Sequence, residues 1–144
     1  MTPHPTDPEF TQAFSKAWTD DPDALVEFFS PEAYYRDMAF EPKYVGREAI
    51  SKFHRYMLKF APDSFIEFED IRAADGRFYG KWRWSGTYGG PLRLRNGKVI
   101  DASGKQFTVF GVAICEYGDD GRLTSHEDYW DLATVLDQVG VTIA

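Results

Sequence analysis

At 144 residues the chain is sized for one domain, and with 43% hydrophobic and 17% aromatic side chains it is too apolar to be disordered. A formal charge of −7 with no basic stripe excludes nucleic acid and anionic membranes as expected partners. No stretch approaches the ~20 apolar residues that span a bilayer, and Met1–Pro8 has neither the basic end nor the apolar run of a signal peptide. Cys115 is the single cysteine, so no intrachain disulfide can form and the cytoplasm is the expected compartment. Its place in the apolar run Phe110–Ile114 reads as that of a buried small hydrophobe.

The elements follow in chain order. His4 falls in a tail expected to lie outside the fold. Thr6-Asp7-Pro8-Glu9 carries a cap residue and then proline at the first helical position, and Phe10, Ala13, Phe14, Ala17 and Trp18 continue at helical spacing. Asp21-Pro22 repeats the start signal for a second helix through Ala24, Leu25, Phe28 and Phe29, which Pro31 is expected to end. The aromatics of Ala33–Asp37 predict a short strand. Gly46-Arg47-Glu48 opens a third helix with Ile50, Phe53, Met57 and Phe60 on one face, closed by Pro62.

Beyond that point the period changes to two. Ser64–Arg72, Arg77–Tyr88, Lys105–Tyr117 and Arg122–Trp130 predict four strands joined by turns such as Ala74-Asp75-Gly76 and Asp119-Asp120-Gly121. Gly89–Gly104 is too long and polar for a hairpin turn and is expected to be a loop over one end of the sheet, a candidate lid. Asp131 caps a last helix with the stripe Leu132, Val135, Leu136 and Val139, and Gly140 stops it. Helices first and a strand meander afterwards predict one α+β domain over residues 1–144, its helices packed on one face of a curved sheet.

Four anchors carry a family resemblance by their order and spacing: Asp20-Asp21-Pro22-Asp23-Ala24-Leu25; Tyr35-Arg36-Asp37 followed by Gly46-Arg47-Glu48-Ala49-Ile50; Trp82-Arg83-Trp84-Ser85-Gly86-Thr87; and His126-Glu127-Asp128-Tyr129-Trp130-Asp131. The chain resembles the SnoaL-like polyketide cyclase branch of the nuclear-transport-factor-2-like superfamily over nearly its whole length. The resemblance implies a cone-shaped fold: N-terminal helices on a strongly curved, mostly antiparallel sheet, with a short C-terminal helix. The superfamily holds aldol-type cyclases, epoxide hydrolases, ketosteroid isomerases and proteins that only bind partners, so function must come from the site.

By that resemblance Asp128 matches the acid/base aspartate of SnoaL-like cyclases, and one carboxylate of the limonene epoxide hydrolases. Asp37 falls where ketosteroid isomerases keep their proton-shuttling carboxylate. Ala13 and Ala113 stand where those isomerases hold the oxyanion, which argues against classical isomerase activity. Ile114 stands where the cyclases have an extra histidine. The epoxide hydrolases' Arg-x-Asp pattern is met here by Arg83-Trp84-Ser85, so a second carboxylate is missing unless Asp37 replaces it.

The residues themselves allow more than one reading. Strand alternation puts His126, Asp128 and Trp130 on one face. Asp128 is either a proton carrier or a tie to backbone amides, and Asp37 either its partner or a turn former. Two carboxylates on one cavity repel and separate into an acid and a base. His126 is expected to act as a donor or a hydrogen-bonded wall residue, whereas His54 reads as a helix-surface histidine. Alternation puts Trp82 and Trp84 opposite Arg83. Hydrophobicity favours the tryptophans inward, the epoxide-hydrolase pattern favours Arg83 inward, and alternation leaves both open.

Phe14, Trp18, Tyr35, Phe53, Met57, Trp82, Trp84, Phe110 and Trp130 are candidate lining for an apolar pocket. No metal-ligand spacing is visible and no cofactor is expected. The second sheet face, with Glu127, Tyr129 and the other parity of Lys105–Tyr117, has no helix left to cover it, which predicts a homodimer through the sheet. The leading expectation is a cofactor-independent enzyme on a bulky apolar oxygenated molecule such as a polyketide, terpenoid or steroid-like compound. Asp128 would move a proton beside a carbonyl, Asp37 would be the second acid/base group, and His126 or Arg83 would stabilise the oxyanion. Epoxide hydrolysis and non-catalytic sheltering of an apolar ligand are the alternatives.

Overall fold

The fold rests on a computed structural model that describes residues 2–40 and 42–141. The first helix, α1, spans Phe10–Asp20 and buries Phe10, Phe14, Ala17 and Trp18, the face its spacing predicts. It starts later than expected. Asp7 and Pro8 sit in a preceding turn, where the Asp7 amide donates to the His4 carbonyl at 2.8 Å and its carboxylate accepts the His4 amide at 2.8 Å. His4 therefore belongs to the fold, and its ring packs edge-on against Tyr117. Helix α2 spans Pro22–Glu27, and Asp21 caps it by accepting the Ala24 amide.

The chain leaves α2 at Phe28, three residues before Pro31, which lies inside the first strand, β1, Phe29–Asp37. Proline has no N–H to give a ladder, and the pairing of β1 is interrupted between Phe29 and Tyr34. A three-residue strand, β2, Lys43–Val45, pairs antiparallel with β1. Gly46 then turns the chain with φ +90°, a conformation that favours glycine, into α3, Arg47–Phe60.

Four long strands follow near their expected bounds: β3 Phe65–Ala74, β4 Arg77–Thr87, β7 Gln106–Tyr117 and β8 Leu123–Trp130. Between β4 and β7 the expected loop contains two short strands, β5 Leu92–Arg93 and β6 Val99–Ile100, paired as a hairpin. Buried Leu92 and the Tyr88 hydroxyl, which donates to the Ile100 carbonyl, anchor this hairpin. The Arg95 guanidinium fastens it further to the Met38 and Ala39 carbonyls. None of its residues lines the cavity described below. The last helix, α4, spans Leu132–Gln138 with the predicted Asp131 cap.

The large sheet runs in the order β2-β1-β8-β7-β4-β3 and is antiparallel except where β1 lies parallel to β8. It is a curved α+β architecture with α1 and α3 against its concave side, as the cone expectation requires.

Alternation now has a definite hand. On β7, Phe107, Val109, Ala113 and Cys115 are buried, while Phe110 is 64% exposed. Phe110 is therefore corrected from pocket lining to the outer face. On β4, Trp82 and Trp84 point inward and Arg83 lies outside, paired with Glu67 at 3.3 Å. The outward tryptophan alternative would have exposed two indoles to water, against the ~25 cal/mol per Å² that burial returns.

Gly111 is what lets the inner face close. It pairs with Trp82 on one side and Trp130 on the other, and a Cβ there would lie 2.2 Å from the Trp82 ring. The ring has taken the place of a side chain. Gly111→Ala is therefore expected to cost about 1–3 kcal/mol by overpacking and to change the near-ultraviolet circular dichroism of the displaced indole. Urea unfolding together with that spectrum checks it; wild-type stability and spectrum would refute the packing argument.

Candidate active site

The site begins with strand register. In the parallel pair, Tyr35 lies opposite His126 and Asp37 opposite Asp128. All four are buried, and both carboxylates line one cavity. Adjacent strands lie ~4.8 Å apart, so two acidic groups sit side by side in an aromatic interior.

Their surroundings differ. Asp128 Oδ1 accepts from Trp82 Nε1 at 3.1 Å and from His126 Nε2 at 2.8 Å, and its Oδ2 accepts the Tyr35 hydroxyl. Burial and the two nearby carboxylates push the Tyr35 phenol well above its usual range, so it stays a donor. Asp37 Oδ1 accepts the Ala39 and Phe40 amides at 2.9 and 3.1 Å, and Trp130 Nε1 bridges its two oxygens at 3.1 and 3.0 Å. Asp37 is thus a turn former, as one expectation had it, and it also lines the cavity beside Asp128. Burial first, and the neighbouring Asp128 charge second, raise the Asp37 pKa to about 7 against the pull of those hydrogen bonds.

His126 is fully buried. It donates to Asp128 from among the rings of Phe14, Trp18, Phe29 and Tyr35, and it does not line the cavity. Its place is behind Asp128, in contact with the carboxylate and away from the cavity. Arg83, on the outer face, is corrected out of the site. Phe14 is corrected as well: it is wholly core, stacked on Phe10 beneath the His126 ring.

Trp18, Tyr35, Phe53, Met57, Trp82, Trp84 and Trp130 line the cavity as expected, joined by Leu58, Ser64 and Ile66. The recess measures about 480 Å³ with its open mouth, and its lining is mostly aromatic.

His54 is the residue that sequence reasoning misplaced. It is 1% exposed and lines the cavity. Ile50 precedes it by four residues on the same helical face, and that spacing was the available signal. Cys115 is buried, with its thiol pushed well up by burial, and is inert.

Comparison with known proteins places the chain. The model of the SnoaL-like domain matches residues 9–126, most of the sequence, and stops two residues short of Asp128. The chain belongs to the SnoaL-like family. No curated protein matches it. Among solved structures, a hypothetical protein of Catenulispora acidiphila with a ketosteroid isomerase-like fold, in complex with trimethylamine, is 24% identical. That alignment covers 95% of this chain and 96% of the other at a TM-score of 0.79. TsrD from Streptomyces laurentii is 26% identical over 91% and 92%, with a TM-score of 0.75. A protein of Xanthomonas campestris pv. campestris, named as a proposed polyketide cyclase, is 25% identical over 90% and 93%, with a TM-score of 0.70.

The raised Asp37 has a stability consequence. Between the ordinary value of 3.8 and about 7 the folded chain holds a proton that the unfolded chain has lost. Stability contributed by that proton is greatest at low pH and falls as pH rises through this window, by roughly 4 kcal/mol in all at ~1.4 kcal/mol per unit. Asp37→Asn keeps an acceptor for the backbone amides and removes the titration. Its stability relative to wild type is therefore expected to rise by about 3 kcal/mol between pH 5 and pH 8. Urea unfolding at the two pH values measures it, and a difference independent of pH would contradict the buried, proton-holding carboxylate.

Proposed function

We propose that this chain is a cofactor-independent enzyme that moves a proton at a carbon beside a carbonyl, in an apolar oxygenated small molecule. The product is an aldol-type cyclisation or an isomerisation. The observation that carries the reading is the opposed pair of buried carboxylates, one held by three side-chain donors and the other poised near neutrality. Membership of the SnoaL-like family and a structural neighbour named for cyclase activity support it.

Asp37 is the proton carrier in this reading. A carboxylate with a pKa near 7 is a stronger base than an ordinary one, and half of it is in the basic form at neutral pH. It takes the proton from the carbon, and the released electron pair moves onto the carbonyl oxygen as an enolate. In a cyclisation that carbon attacks a second carbonyl, whose new alkoxide receives the proton back from Asp37. Burial keeps Asp37 basic first, and second the neighbouring Asp128, which Tyr35, Trp82 and His126 fix in place. These roles reverse the order expected from sequence, in which Asp128 led. Epoxide hydrolysis is not favoured, because Arg83 lies outside the cavity.

The test uses solvent deuterium. Wild-type protein is expected to catalyse deuterium uptake beside the carbonyl of cyclic ketones and β-diketones small enough for the cavity, with the rate rising through a midpoint near pH 7. Asp37→Asn should lower it at least ~10²-fold, the usual size of a general-base contribution, with the fold intact by circular dichroism. Equal exchange in both proteins would leave non-catalytic binding as the better account.

The exposed face supports a homodimer as part of the same reading. Phe65, Tyr79, Phe110, Val112 and Tyr129 are large hydrophobics exposed on β3, β4, β7 and β8. Lys81 and Arg83 lie beside Glu67 and Glu127 on the same side, so a two-fold axis can set unlike charges opposite one another. Wild type is expected to sediment as a dimer and Phe110→Glu as a monomer. A monomeric wild type would refute the interface.

A further inference from the structure

The cavity's helical wall holds polar atoms that the proton transfer does not use. Trp18, in the last turn of α1, carries an indole Nε1 that is buried with no hydrogen-bond partner among the described residues. His54, midway along α3, carries a buried Nδ1 in the same condition. Both side chains line the cavity, and their rings lie 5.0 Å apart at 71°.

The chemistry of the two atoms is fixed by their neighbours. The carbonyl of Trp18 would bond the amide four residues on in a continuing helix, but that residue is Pro22, which has none. His54 Nε2 fills the gap, 2.7 Å from the Trp18 oxygen, and must carry the hydrogen because a carbonyl only accepts. Nδ1 of a neutral ring is then a bare acceptor. Burial, the largest influence on His54, lowers its pKa and keeps the ring neutral. Trp18 Nε1 can only donate.

A donor and an acceptor unpaired on one apolar wall fit a group that both accepts and donates. A carbonyl would leave His54 unmet, and an ammonium would leave Trp18 unmet. A hydroxyl meets both. Unpaired buried polar groups are costly and rare, so this pair calls for an occupant.

We propose that Trp18 Nε1 and His54 Nδ1 form a hydroxyl-binding subsite, which selects substrates bearing an alcohol, phenol or enol and orients them against the carboxylates on the sheet wall. This rests on the reading that the cavity takes a substrate, but it does not depend on Asp37 moving a proton.

The test compares p-cresol with its isostere p-xylene, and with 4-methylanisole, which accepts but cannot donate. Binding is followed by NMR on indole ¹⁵N–¹H signals, with the Trp18 signal identified by its loss in Trp18→Phe. Wild type is expected to bind p-cresol about tenfold more tightly than p-xylene, as one or two net hydrogen bonds allow, with 4-methylanisole between them. The Trp18 N–H signal should move downfield with p-cresol and not with p-xylene. Trp18→Phe and His54→Gln should each reduce the preference, the latter keeping a donor for the Trp18 carbonyl.

Asp37→Asn should leave the preference intact, which separates failure of this subsite from failure of the proton-transfer reading. A preference lost only in Asp37→Asn would place the hydroxyl on the carboxylate and overturn the proposal. So would an unmoved Trp18 signal, a preference that survives both wall variants, or no binding of any of the three ligands.

Discussion

The parallel pairing of β1 with β8 is the constraint on which the rest of the structure depends. It sets Asp37 opposite Asp128 at the spacing of neighbouring strands, inside a wall of aromatic rings. Two carboxylates so placed cannot both ionise cheaply. The surrounding residues make them unequal. Three donors, from α-helix-covered strands β1, β4 and β8, converge on Asp128. Asp37 receives two backbone amides and one indole, and remains the member that yields by holding a proton. The inequality is built from packing as much as from charge. Trp82 serves one carboxylate and Trp130 the other, and the Trp82 indole fits because Gly111, paired with both, has no side chain.

The local parts of this arrangement were legible in the sequence and the long-range parts were not. Asp21 and Asp131 announce their helices because capping is a matter between residues two or three apart. The long strands declare themselves by alternation, and alternation alone puts His126 with Asp128. Which face of β4 is inward depends instead on Gly111, a residue on another strand whose emptiness only means something beside Trp82. The same applies to Phe110, whose apolar character fits the core and the outer face equally well. The pairing of Asp37 with Asp128 joins residues far apart in the chain, and no pattern within either segment encodes it.

His54 shows a different limit. Its neighbours Phe53 and Met57 gave the apolar face, and the position four residues after Ile50 belongs to that face too. Histidine's intermediate polarity left it read as surface. The reason for a histidine lies in α1, where Pro22 strands the Trp18 carbonyl and a ring N–H is needed to meet it. A proline that starts one helix thus decides which side chain another helix must offer. Sequence reading treats Pro22 as punctuation, while in the fold it is also the cause of a polar contact.

The two walls of the cavity follow a common logic. The sheet wall concentrates negative charge and answers it with indole, phenol and imidazole donors, leaving one carboxylate free to exchange its proton. The helical wall lines the cavity with neutral side chains and keeps one donor and one acceptor without partners among the described residues. The lining between the two walls is mostly aromatic. Burial among those rings is the largest influence that raises Asp37. Apolar enclosure and basicity therefore have one source, and opening the cavity to water would lower the basicity on which the proposed chemistry relies.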